Sequence, residues 1–223
     1  MNSTIASDLR GFGPIGISVI FLILFTGNIF IGKLIIPLGA ILVLLWMYWS
    51  QTPWKEIGYV KSNQWFRIIV FGILGGITFK IFLKALIMPL LGAPSINQNY
   101  HYLAGNTSQL PFAIWAMLVA GFAEETVFRG FMFERINKLL GNGIRTKLVA
   151  ILITSLLFGL SHYINQGKWG VLQGTIFGLV FASFYALRPH IWSLMIAHAS
   201  FDLTALYMIY NDLESRVAHL FFN

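Results

Sequence analysis

Long apolar stretches follow one another along this chain, with short polar connectors between them. A helix needs roughly 20 mostly apolar residues to cross a hydrocarbon core. Seven stretches meet that pattern and are expected to form transmembrane helices: 13–31, 34–49, 66–91, 111–139, 147–163, 170–187 and 191–210. The fourth is longer than a perpendicular span requires, and an eighth helix follows if it breaks near Gly130. A long polar loop with Gly92, Pro94, Asn97, Asn99 and Asn106 precedes it. The expected fold class is all-α: a polytopic membrane bundle forming one domain over 1–223, with three transmembrane helices in 1–91. No internal repeat or low-complexity segment is present, and no soluble domain is expected.

Composition strengthens this reading. The 223 residues are 57% hydrophobic and 10% charged, against about 25% charged in an ordinary soluble domain. A soluble core cannot hide so much Phe, Leu and Ile, which makes the lipid bilayer the expected solvent. The formal net charge of +7 would raise nucleic acid as a partner in a soluble protein. Here the basic residues lie in connectors, no basic stripe with interleaved aromatics exists, and no nucleic-acid partner is expected. The absence of cysteine removes disulfides, thiolate catalysis and Cys-ligated zinc.

The connectors also carry an orientation signal. Arg10, then Lys55, Lys61 and Arg67, then Arg135, Lys138, Arg145 and Lys147, then Arg188 fall on connectors of one parity. The other parity holds Lys33, a long loop free of Lys and Arg, and Lys168. The positive-inside rule therefore places the amino terminus in the cytoplasm. No cleavable leader is expected, because Ala6 and Ser7 precede the first apolar run. Trp46, Trp49, Trp54, Trp65, Trp115, Trp169 and Trp192 sit near expected span ends and read as interface anchors.

Three spans carry ionisable groups that lipid does not tolerate. Such groups face the bundle interior and commonly serve function. The fourth span holds Glu124, Glu125 and Arg129. Glu125 and Arg129 are four apart, so they share a helix face and can pair. Glu124 is rotated by about 100° from Glu125, which leaves it as a second, spare carboxylate. The fifth span ends on Phe158, Ser161 and His162. The seventh holds His198 and Asp202, again four apart, so Asp202 can orient the imidazole and support its positive form. Convergence of these groups into one polar site is cheaper than burying each alone.

Such a set suits hydrolysis of an amide, which needs an activated water, a stabilised oxyanion and a proton for the leaving amine. Glu124 with His162 can take a proton from water, and His198 with the group at 202 can hydrogen-bond the oxyanion. No covalent nucleophile is required. Ser161 is disfavoured, since adjacent helical residues point about 100° apart. Zinc held by two histidines and one or two carboxylates is the rival chemistry. The His-Glu-x-x-His helix of zinc proteases is missing, so such ligands would have to gather from three helices.

Glu124-Glu125-x-x-x-Arg129, Phe158-x-x-x-His162 and His198-x-x-x-Asp202 together resemble the three-motif signature of the CAAX protease and bacteriocin-processing (CPBP, Abi) family. That family includes the type II CAAX prenyl endopeptidases. The resemblance covers a catalytic core over 111–210. It implies an intramembrane glutamate-type endopeptidase in which Glu124 and His162 activate water. His198 and position 202 form the oxyanion hole, and Glu125 and Arg129 maintain the site. The resemblance implies no resident metal, although zinc has been attributed to the family. The eukaryotic enzyme has Asn where this chain has Asp202, and a carboxylate does not donate to an oxyanion as an amide does. The expected substrate is a peptide or membrane protein reached from within the bilayer, in bacterial peptide maturation or bacteriocin self-immunity. The expected location is a bacterial plasma membrane, crossed several times. A non-catalytic immunity or scaffold protein, using the polar cluster as internal glue, is the alternative. The oligomeric state is not encoded in any recognisable pattern.

Lys80 and Lys84 share one face of the third span, where they either pair inside the bundle or line a path for a substrate carboxylate. Gly72, Gly75 and Gly76, and Gly170, Gly174 and Gly178, are expected at close helix contacts.

Overall fold

The computed structural model describes residues 22, 26, 27, 30, 35–141 and 143–222. Seven α-helices fall among these residues. They are α1 (Ile35–Trp49), α2 (Trp65–Leu90), α3 (Leu110–Leu140), α4 (Ile144–Ser161), α5 (Tyr163–Leu187), α6 (Ile191–Tyr210) and α7 (Glu214–Ala218). Two short 3₁₀ turns, Trp54–Ile57 and His101–Leu103, interrupt the connectors. No strand occurs among the described residues. The all-α expectation holds.

Four helices, α2 to α5, are long and apolar enough to cross a membrane. Only 22% to 39% of the residues in their most apolar windows are buried within the protein. Phe66, Phe71, Leu74, Leu148, Leu152 and Leu156 are among the large apolar side chains left exposed. Lipid covers such surface without cost, whereas water does not. The chain is a membrane protein. The expected count of seven spans is not reached by these criteria. The stretch 13–31 lies outside the described residues apart from 22, 26, 27 and 30. α1 is apolar but has 15 residues, and α6 has the length but carries His198 and Asp202. α3 does not break at Gly130. It passes instead into a π-helical stretch, Thr126–Met132, and continues to Leu140.

The described residues divide into two compact units, 1–62 with 123–192 and 63–122 with 193–223. In the first, α4 and α5 form a tight helical hairpin that reverses at Gly167, where the backbone leaves helical geometry. Gly174 and Gly178 are what allow the close approach. A Cβ on Gly174 would lie 3.1 Å from Cα of Gly159, and one on Gly178 would lie 2.8 Å from Cα of Ser155. Small residues at such a contact let backbones meet and gain dispersion energy in a medium that supplies no hydrophobic drive. Gly170 serves otherwise: a Cβ there would strike Gln166 of its own helix, next to the kink at Gly167 (φ 61°).

In the second unit Gly72 and Gly76 lie against α6, at Ile196 and at the backbone of Ala197 and Phe201. Gly121 lies against Ala199 in the same way. Gly75 has open space around it and is not part of this contact. Leu103, Ala113, Leu206 and Ile209 form a small apolar core between the polar loop and these helices.

Candidate active site

The first unit holds Glu124, Glu125, Arg129, Phe158 and His162. The two glutamates and Arg129 are buried, Glu125 and Arg129 almost completely. The π-helical stretch begins immediately after Glu125. Such wide turns inside α-helices are frequent where function fixes side-chain direction. Arg129 Nη1 donates to Oε1 of Glu125 at 2.9 Å, as the spacing of four predicts. The guanidinium carbon stands 4.4 Å from the ring centre of Phe158, 5.6 Å from Phe177 and 5.7 Å from Phe181. Arg129 Nε and Nη2 have no hydrogen-bond acceptor among the described residues. The charge is therefore held by Glu125 in direct contact, by Glu124 within electrostatic reach, and by three aromatic faces, whose quadrupoles attract a desolvated cation. Phe177 and Phe181 carry no signal in the sequence beyond their place one turn apart on α5.

Phe158 ties this pair to the histidine. Its ring lies 5.1 Å from Phe128, 5.5 Å from Phe177 and 4.8 Å from the His162 imidazole, measured between centres. Its carbonyl accepts from His162 Nδ1 at 2.8 Å. A carbonyl cannot donate, so Nδ1 carries the proton, and in the neutral ring Nε2 is the basic nitrogen. Ser161 Oγ donates to the same carbonyl at 2.7 Å. Although Oγ lies 3.3 Å from Nδ1, a protonated nitrogen cannot take its hydrogen. His162 therefore does not activate Ser161 as a nucleophile in this arrangement.

The second unit holds the third motif. His198 is buried, and its Nε2 lies 3.5 Å from Oδ2 of Asp202, whose side chain is 22% exposed. Both lysines of α2 are buried in the same unit. Lys84 Nζ donates to Oε1 of Glu214 at 3.0 Å, and the backbone N–H of Asn97 reaches both oxygens of that carboxylate. Lys84 thus pairs internally and pins α7 and the polar loop to α2. Lys80 Nζ lies 4.8 Å over the Phe201 ring.

Sequence reasoning passed over two further features of the first unit. Arg135 and Lys138 were counted among the connector charges although the fourth stretch was expected to run to 139; both lie in the last turns of α3, and Arg135 is fully buried. Arg135 Nε pairs with Glu134, and Lys138 reaches both Glu134 (2.7 Å) and Glu56 (2.8 Å). The spacing of four from Glu134 to Lys138 was the readable signal. Tyr59 was not singled out either. Its hydroxyl hydrogen-bonds Thr126 Oγ1 at 2.7 Å, at the first residue of the π-helical stretch. Its ring stacks edge-on against Trp192 at 5.0 Å.

Within neither unit do three or more His, Asp or Glu side chains, among the described residues, gather as a metal site. Comparison with family models finds a match over residues 106–204 to the type II CAAX prenyl endopeptidase Rce1-like family. The chain carries a CAAX protease family domain. The matched segment of this Rce1-like domain contains Glu124, Glu125, Arg129, Phe158, His162, His198 and Asp202. The family is one of proteases, so peptide-bond hydrolysis is its family-level activity. Comparison with curated proteins and with solved structures found no match.

Proposed function

We propose that the Rce1-like domain makes this chain an intramembrane endopeptidase that cleaves a membrane-associated peptide or protein. The observation that carries the reading is the family match over 106–204, which takes in every residue of the three polar motifs. Glu124 and His162 activate the hydrolytic water. The basic Nε2 follows from the Nδ1 contact with the Phe158 carbonyl. His198, with Asp202 behind it, donates to the oxyanion, and the water's proton passes to the leaving amine. Glu125 and Arg129 hold the helix that bears Glu124. The substrate belongs to bacterial peptide maturation or bacteriocin self-immunity, and the protein resides in the plasma membrane with its amino terminus in the cytoplasm.

The test is cleavage of an internally quenched peptide library by purified protein in micelles. Glu124→Gln and His162→Ala should each lower cleavage by at least about 100-fold, the scale of general acid–base catalysis, with unchanged unfolding midpoints. A chelator should leave the rate unaltered, because no metal takes part in the proposed steps. Full biological protection by both variants would instead support a non-catalytic immunity protein, and a rate abolished by chelator and restored by zinc would support the metal-dependent version.

A further inference from the structure

Two buried lysines lie one turn apart on α2 within the second unit. Lys84 is matched by Glu214 at 3.0 Å. Lys80, one turn earlier, sits over the ring of Phe201, the neighbour of Asp202. It lies within electrostatic reach of Asp202, Glu214 and Lys84. Since Glu214 is already engaged by Lys84 and by the Asn97 N–H, Asp202 is the carboxylate that remains to balance the second cation. A carboxylate has no hydrogen to give to an oxyanion. Asp202 can serve the third motif only by accepting from His198, whose Nε2 is 3.5 Å away. It does so as a charged group, and a charged group in this setting is costly without a partner.

We propose that Lys80 is a positioning residue for the third motif, balancing the Asp202 carboxylate so that Asp202 holds His198 as donor to the oxyanion. The inference rests on the endopeptidase reading above. Lys80 touches no reacting atom. It keeps Asp202 charged and so supports the imidazolium form of His198, in which Nε2–H is given to Asp202 and Nδ1–H is left as the donor to the oxyanion; a neutral ring would carry no hydrogen on Nδ1. An amide at 202 would carry no charge and would need no such cation.

The test is a double-mutant cycle with Lys80→Met and Asp202→Asn, read in the quenched-peptide assay and in unfolding midpoints. In the wild-type background Lys80→Met should lower kcat by about 30-fold or more while KM changes less than about threefold, the pattern of an interaction expressed in the transition state. In the Asp202→Asn background the same substitution should cost less than about threefold, because the two sites are coupled. Equal effects of Lys80→Met in both backgrounds overturn the proposal, as does a loss confined to KM. If the wild-type protein cleaves nothing, the endopeptidase reading fails instead. The charge balance is then judged by the unfolding cycle alone, where additive midpoints overturn it.

Discussion

His162 gives its Nδ1 hydrogen to the carbonyl of Phe158, one helical turn earlier, at 2.8 Å. The bond uses a carbonyl that the end of α4 leaves without a helical partner, and it settles which nitrogen is basic. The neutral imidazole should therefore be the Nδ1-protonated tautomer. Nitrogen NMR of histidine-labelled protein should show such a ring whose signal vanishes in His162→Ala, apart from that of His219, whose Nδ1 also meets a carbonyl, Ser215 O at 2.7 Å. Finding His162 protonated on Nε2 would remove the basis for its role as the acceptor of a proton from water.

Arg129 is the counter-charge of a wholly buried carboxylate, so its removal should be felt as stability before chemistry. Arg129→Ala removes the guanidinium that balances Glu125 and should cost about 3–5 kcal/mol, measured as a fall in the denaturant midpoint or as loss of folded yield. Arg129→Lys keeps the charge but loses the planar face that lies over Phe158, and should fall between the two. A wild-type midpoint for Arg129→Ala would show that the pair is not held as described.

Two glycines of similar appearance in the sequence should behave in opposite ways. A Cβ on Gly174 would sit 3.1 Å from Gly159 Cα and 3.3 Å from His162 Nδ1. Gly174→Ala should therefore force α4 and α5 apart, destabilise by about 1–3 kcal/mol, and impair cleavage by displacing His162. Gly75→Ala meets nothing within 4 Å and should be neutral or slightly stabilising, by up to about 1 kcal/mol. Matched unfolding and activity measurements on the two variants test the contrast.

Tyr59 lies outside the family-matched segment, yet touches the first residue of the π-helical stretch. Tyr59→Phe removes one hydrogen bond and should cost about 1 kcal/mol, with a proportionate loss of activity if Thr126 helps to fix the turn beside Glu125. Burial pushes the Tyr59 phenol above the usual tyrosine value, with the Thr126 bond opposing in part. A raised folded value favours the neutral phenol. Its stabilising contribution is thus complete below the ordinary tyrosine value of about 10 and declines as pH rises through the folded value. The difference in absorbance titration between wild type and Tyr59→Phe should show one tyrosine ionising later than the exposed ones.

The long apolar helices were legible because their signal is local. α2 was expected at 66–91 and spans Trp65–Leu90, and α6 was expected at 191–210 and has those ends. The pairs Glu125–Arg129 and His198–Asp202 were legible for the same reason, since a spacing of four fixes a shared helix face before any packing occurs. The expected close contacts of Gly174 and Gly178 followed from spacing too, but Gly75 and Gly170 carry the same residue type for no such contact. The burial of Arg135 was not legible, because a charge at the end of an apolar run reads as solvated, and Glu134 and the Phe131 ring are among the neighbours that make its burial tolerable.

By itself the sequence determined that the chain is helical, that it belongs in lipid, and which polar residues share a helix face, because hydropathy and the helical period act over a few neighbouring residues. Tertiary structure alone decided that Phe177 and Phe181 enclose Arg129, that Lys84 pairs with Glu214, and that Tyr59 bonds Thr126. These partners lie tens to more than a hundred positions apart in the chain, and no local period links them. They meet because buried charges and hydroxyls must find partners wherever the folded helices bring them.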